Sequence, residues 1–245
     1  MKEDFISLKK EFRRIKNMGL IETMRKGGSG IGYTLETLLN KKEDQECKPD
    51  FKSIELKSRM GYSKHPLNLF HCAPKRNKNT AIDYIFQTYN YPKHNEKDIL
   101  IFDRTIYSKK AIKKYNYEFK LKVDYFFQQI VMQSFCNNIF IEDVWTWDFK
   151  VLENKLKKKL QRLAIIYAYP YKRDNKMYYK YVKMEFYKLK GFFEFLKLIE
   201  DDKIHVDIYL KQRIDKEQNY YLENHGVAFK IDFDAIENLF YKYYF

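Results

Sequence analysis

The chain has 245 residues, 45% of them hydrophobic, which is enough for one large domain or two small lobes around a real core and sets disorder aside. No apolar run approaches the roughly 20 residues of a membrane-spanning helix, and Met1-Lys2-Glu3-Asp4 begins no signal-like apolar stretch, so a cytoplasmic protein is expected. Lys and Arg number 47 against 33 Asp and Glu, and the net charge of +14, with 18% aromatic residues, favours nucleic acid as partner; the basic residues are too dispersed for a membrane-surface helix.

Phe5, Leu8, Phe12 and Ile15 recur at three- and four-residue spacing, which predicts an amphipathic helix over about 3–18 that stops at Gly19 and has a strongly basic polar face. Gly27-Gly28-Ser29-Gly30-Ile31-Gly32 holds four of the eight glycines and feeds a helix-like Thr34–Leu39. Such a loop can bring backbone near a phosphate, but it lacks the Lys-Ser/Thr ending of a nucleotide-binding loop, so nucleotide hydrolysis is set aside. Lys48 to Lys57 alternates as a strand after Pro49, and Leu67–His71 reads as another before Pro74. Lys75 to Lys114 shows no clear period and is expected to be mostly loop with a short helix near Ile82 to Phe86. Strands of a meander follow at 117–124 and 138–148, then a helix marked by Leu152, Leu156 and Leu160, and a buried strand from Leu163 to Tyr169. An alternating strand at 177–187, a helix from Leu189 to Ile199, strands at 204–210 and 227–232, and a closing helix from Asp234 to Tyr241 complete a mixed α/β (α+β) pattern. No repeat and no Pro/Gly/Ser linker divides it. Cys47, Cys72 and Cys136 are odd in number, widely spaced and in no metal-ligand pattern, and are expected to be free thiols.

The chemistry concentrates in Pro49-Asp50-Phe51 and Ile54-Glu55-Leu56-Lys57. Side chains two apart on a strand share a face, so Glu55 and Lys57 point together while Leu56 points into the core. Two carboxylates, Asp50 and Glu55, with the backbone carbonyl of Leu56, form an oxygen donor set for Mg²⁺, which suits phosphodiester hydrolysis. Lys57 would orient the attacking water or stabilise the transition state, and Glu36 would bring a third carboxylate from the preceding helix. The same residue types at this spacing also arise as a solvated strand face in a chain with 33% charged residues.

Gly30-Ile31-Gly32-Tyr33-Thr34-Leu35-Glu36-Thr37-Leu38-Leu39, followed by Pro49-Asp50-Phe51 and Ile54-Glu55-Leu56-Lys57, closely resembles the MvaI/BcnI family of restriction endonucleases, in the PD-(D/E)XK superfamily with MutH as a structural relative. Further segments are similar to the family in the right order: Leu67–His71 with Pro74, Leu156 to Tyr167, Tyr178–Tyr181, Val206-Asp207-Ile208, and His225 to Ile231. Only about 75 to 150 is poorly covered. The resemblance implies a restriction-endonuclease-like fold, a mixed central sheet flanked by helices, with two lobes around a DNA cleft. On this basis residues 1–110 are expected to form a catalytic lobe and 111–245 a DNA-recognition lobe. It further implies Glu36, Asp50, Glu55 and Lys57 as the active site with Asp50 and Glu55 as metal ligands. The enzyme would be a monomer that cuts double-stranded DNA one strand at a time within a short GC-rich site of CC-N-GG type, leaves 5′-phosphate ends, and works alongside a DNA methyltransferase without forming a stable complex.

For reading the bases, the resemblance points to His71, Asp207, His225 and Lys230: an imidazole or ammonium donates to guanine and a carboxylate accepts from cytosine. A lone His or Asp at a strand end also satisfies local backbone. Relatives carry His or Arg where this chain has Tyr209 and Glu223, and Lys230 stands for an expected arginine, whose bidentate fork lysine cannot make. Arg25 and Lys26, ahead of the glycine loop, are candidate phosphate contacts. Two rivals remain: a MutH-like repair nickase activated by a partner, and a basic DNA-binding protein without activity.

Overall fold

The N-terminal periodicity becomes α1 (Lys2–Asn17) in a computed structural model of the chain, which describes residues 2–41, 48–75, 81–215, 217 and 219–244. Glu3 and Asp4 in its first turn and Arg14 and Lys16 in its last complement the helix dipole, and Gly19, at φ +74°, takes the left-handed conformation that ends it. After β1 (Ile21–Glu22), α2 (Gly30–Leu38) starts four residues before the expected Thr34. Two of the loop glycines therefore lie inside the helix. A Cβ on Gly30 would fall 2.5 Å from the Arg25 carbonyl oxygen and one on Gly32 3.3 Å from Ser58 Oγ, so these glycines serve close packing.

β2 (Glu55–Met60) and β3 (Leu67–His71) follow as expected, and α3 (Ala81–Tyr89) is the short helix anticipated near Ile82. The rest of that stretch differs from the expectation of loop. β4 (Tyr91–Lys93) is followed by β5 (Glu96–Ile106), an 11-residue strand. Its signature is broken by Arg104, which is buried with its guanidinium 5.1 Å from the Tyr91 ring centroid and 5.4 Å from that of Phe119. The meander comprises β6 (Tyr117–Asp124), β7 (Gln129–Cys136) and β8 (Ile139–Asp148); β7 had not been anticipated. Then come α4 (Phe149–Leu160), β9 (Arg162–Arg173) and β10 (Lys176–Leu189), the last two joined through Asp174 and Asn175, both at positive φ as a tight hairpin requires. α5 (Phe192–Glu200), β11 (Ile204–Ile214) and β12 (Tyr220–Ile231) extend the predicted elements. The expected closing helix is corrected: a 3₁₀ turn (Phe233–Ala235) and α6 (Ile236–Leu239) give way to β13 (Phe240–Tyr243), whose aromatic residues pair antiparallel with β10.

The chain folds into two compact units, each discontinuous in sequence: Met1–His65 with Lys155–Lys190 and Leu239–Phe245, and Pro66–Asn154 with Gly191–Asn238. No single crossing falls near residue 110, because the first unit draws β9, β10 and β13 from the second half of the chain. Its sheet has the order β1-β10-β9-β2, with β13 also on β10 and β2 parallel to β9. Phe5, Leu8, Phe12 and Ile15 of α1 and Ile31 and Leu35 of α2 bury one face against Leu56, Ala164, Ile166 and Phe186. The second unit holds the sheet β3-β12-β11-β5-β4 and the meander β6-β7-β8, around a core of stacked and edge-on rings in which Phe229 meets Phe70 at 5.3 Å and Trp147 at 5.5 Å. Cys72 and Cys136 are free thiols; Cys47 lies outside the described residues. Among the described residues no helix is long and apolar enough to cross a membrane.

Candidate active site

The spacer between Asp50 and Glu55 is a tight turn. Phe51 and Ile54 exchange backbone hydrogen bonds of 2.9 and 2.8 Å, and Lys52 between them sits at φ +54°. The turn folds Asp50 back onto the start of β2, where its Oδ2 accepts the Leu56 N–H at 3.0 Å. Strand alternation then acts as expected: Leu56 is in the core, and Lys57 Nζ stands 2.9 Å from Glu55 Oε1.

Glu55 is 0% exposed; its Oε1 is held by Lys57 at 2.9 Å and by Lys159 at 3.4 Å, while Oε2 has no hydrogen-bond partner among the described residues. Burial pushes its carboxyl above the ordinary range; Lys57 opposes that, the Asp50 charge adds to it, and Lys159 again opposes it. An acid left buried, hydrogen-bond-hungry and beside a second carboxylate is the environment that a hard cation with oxygen ligands relieves. Among the described residues no group of three or more His, Cys, Asp or Glu stands together closely enough to hold a metal.

Lys159 was not singled out from sequence, because nothing distinguishes it within Lys157-Lys158-Lys159, an ordinary solvated helical run. Glu36 is on α2, the helix that precedes β2. A Cβ on Gly32 would lie 3.7 Å from Glu36 Oε1 and 3.3 Å from Ser58 Oγ, and Ser58 alternates with Lys57 on β2. Arg25 is stacked on Tyr33, 3.8 Å from the ring centroid, while Lys26 is exposed; both line a cleft of about 660 Å³ that includes Gly27 and Gly28.

The four candidate base readers all lie in the second unit, on the sheet β3-β12-β11-β5-β4. His71, Ala228, Asp207 and Thr105 form one cross-strand row, and Asn68, Lys230 and His205 the next. Asp207 Oδ2 meets Lys230 Nζ at 2.5 Å, so these two form a pair rather than separate contacts. Asn68 Nδ2 and His71 Nε2 stand 2.8 Å apart in a side-chain hydrogen bond. His225 packs edge-on to Tyr209 at 5.1 Å with Nε2 3.3 Å from Glu223 Oε1, and Arg213 Nε grips the other Glu223 oxygen at 2.5 Å. The two departures, Tyr209 and Glu223, therefore bracket His225. Sequence reading missed His205, a buried ring tilted against Tyr107 at 4.9 Å, with Asp207 at 3.8 Å and Asp232 at 3.9 Å. Burial holds its imidazole below the usual range despite both carboxylates.

Gly226 is at φ +80°, and a Cβ there would fall 2.8 Å from His71 Nδ1. Gly226→Ala should displace His71 and weaken binding to the cognate duplex while leaving binding to random DNA nearly unchanged, by about 1–3 kcal/mol of lost discrimination. Competition binding on the two duplexes checks this; equal losses on both would remove His71 from the readers.

The family model of the MvaI/BcnI restriction endonuclease family matches residues 9–240. Among solved structures, restriction endonuclease MvaI in complex with its cognate DNA substrate superposes with a TM-score of 0.89 at 28% identity, covering 99% of this chain and 98% of that one. The same enzyme in the absence of DNA gives 0.63 at 25% identity, with the same coverage. A search of the curated proteins gave no match. The MutH-like alternative finds no support in these comparisons. The chain therefore belongs to the MvaI/BcnI family of restriction endonucleases, site-specific nucleases of type II.

Proposed function

We propose that the first unit cuts double-stranded DNA with Asp50, Glu55 and Lys57, in the manner of the PD-(D/E)XK superfamily, and that the second unit reads the target. The observation that carries the reading is the buried Glu55 carboxylate, set between Lys57 and Asp50 in a chain of this family. Asp50, Glu55 and the Leu56 carbonyl would hold Mg²⁺; when bound, the ion neutralises charge on the scissile phosphate and lowers the pKa of a bound water. Asp50 is pre-set for this by the Leu56 N–H, so it needs no reorganisation. Lys57 would stand beside the cutting position, where it donates to a phosphate oxygen or orients the attacking water. Glu36 is proposed to assist from α2, and Arg25 and Lys26 to contact phosphates. MvaI's solved complex with cognate DNA supports a DNA substrate here as well.

On the reading face, the Asp207–Lys230 pair offers an acceptor and a donor side by side, suited to neighbouring bases of opposite demand, and His71 offers an imidazole. We infer a monomer acting on a GC-rich, CC-N-GG-type site with 5′-phosphate products, in a cytoplasmic setting with a methyltransferase that protects host DNA. A cognate duplex labelled on each strand tests the metal proposal: cleavage in Mg²⁺ should stop on chelation and return on readdition. Undiminished cleavage in excess chelator would sink it.

A further inference from the structure

β10 has an incompletely paired outer edge. β1 pairs with Tyr178 and Tyr179 and β13 with Phe186 to Leu189; between them, residues 180–185 have no strand partner on that edge among the described residues. A groove of about 520 Å³ opens there, lined by Lys9, Arg13 and Lys16 of α1 with Lys183, Lys242 and Glu185. That is five cations against one carboxylate, and the carboxylate is already engaged. Glu185 Oε1 meets Lys183 Nζ at 2.8 Å and Lys242 Nζ at 2.7 Å, and its Oε2 accepts from the Tyr167 and Tyr187 hydroxyls. Burial would raise the Glu185 carboxyl, but these partners outweigh it and bring it down to about 2, so it is a fixed anion that anchors the floor.

The position of the floor relates the groove to the cutting residues. Lys57 is in register with Ile165, and Ile165 with Glu185, so all three belong to one cross-strand row on one side of the sheet; α1 covers the other side through Leu56, Ala164, Ile166 and Phe186, and the groove lies at the β10 edge, lined from both faces. Two inter-strand spacings separate Lys57 from Glu185, roughly 10 Å. The stripe Lys9, Arg13, Lys16 runs along α1 for about 10 Å at 1.5 Å per residue, too long to converge on one phosphate. It spans about three successive phosphates of one strand at 3.4 Å each along the duplex axis. Phe5, Leu8, Phe12 and Ile15 of α1 are buried in the core, which leaves Ile6 as its exposed large apolar side chain, too little for an apolar face that inserts into a membrane surface.

We propose that this groove is a second phosphate-binding site, and that its occupant is the sugar–phosphate backbone of duplex DNA outside the target sequence. The inference rests on the nuclease reading above. The test replaces Lys9, Arg13 and Lys16 by alanine, alone and together, and measures equilibrium binding in a Lys57→Ala background on a duplex limited to the target and on one with long flanks. On the long duplex the triple variant should lower the slope of log affinity against log salt by about 2 to 3, near 0.9 per lost contact, with affinity at least about tenfold weaker; Lys16→Ala alone should show about one such step. The short duplex should bind as before, and with Lys57 restored, cleavage at saturating enzyme should be unchanged. An unaltered slope on the long duplex overturns the proposal. So does a long-flank advantage erased by millimolar inorganic phosphate at constant ionic strength, since the groove would then take a free anion. Failure of the unsubstituted chain to bind or cut DNA at all would instead count against the nuclease reading.

Discussion

Lys57→Ala is expected to lower single-turnover cleavage on the order of 10³-fold or more while affinity for the cognate duplex stays within a few-fold. Lys57 sits 2.9 Å from Glu55 and is partly exposed, so it can reach a phosphate without carrying the fold. Its loss removes a charge from the developing transition state and leaves the second unit, with its candidate readers, untouched. Asp50→Asn should have an effect of the same order for a separable reason. An asparagine carbonyl still accepts the Leu56 N–H, so the turn survives while the negative charge needed for a cation is gone. Cleavage by either variant near the unsubstituted rate would remove that residue from the site.

Glu55→Gln should abolish cleavage to a similar extent and yet make the fold more stable. The Glu55 carboxyl is raised in the folded chain, chiefly by burial, so keeping it ionised costs folding free energy. The sign follows directly. Below the unfolded-state pKa both states hold the proton and Glu55 behaves like glutamine; as pH rises through the raised folded value, the folded state must surrender a proton it holds tightly, and stability falls. The advantage of the glutamine variant should therefore be absent in acid and grow toward neutral pH, visible as a Tm difference that widens with pH. A variant less stable than the parent at neutral pH would mean that the ion pairs to Lys57 and Lys159 outweigh burial. Such a cost, held at the proposed cutting site, is the usual relation between activity and stability.

Much of the first unit was legible in the sequence because its signals are local. Phe5, Leu8, Phe12 and Ile15 announce α1 since one face is buried, and the alternation in Glu55-Leu56-Lys57 assigns sides on β2. What stayed hidden depends on distant partners. β5 was concealed by Arg104, an apolar-looking position only once Tyr91 and Phe119 cover its guanidinium, and β13 became a strand because β10 offers it an edge. The same holds at the candidate site. Asp50, Glu55 and Lys57 lie close in sequence and are brought together by one turn, whereas Lys159 arrives from α4. On the proposed reading face, His71, Asp207 and Lys230 were visible as types, but their coupling through Asn68, His205 and the Asp207–Lys230 pair is a property of strand register.

Mapping the ends of a digested plasmid most directly tests whether this cluster cuts DNA at a fixed sequence. The purified chain with Mg²⁺ should release discrete fragments whose ends share one short GC-rich site and carry 5′-phosphates, and the Lys57→Ala protein should release none. Intact plasmid despite tight binding, or the same fragments from the Lys57→Ala protein, would contradict the account.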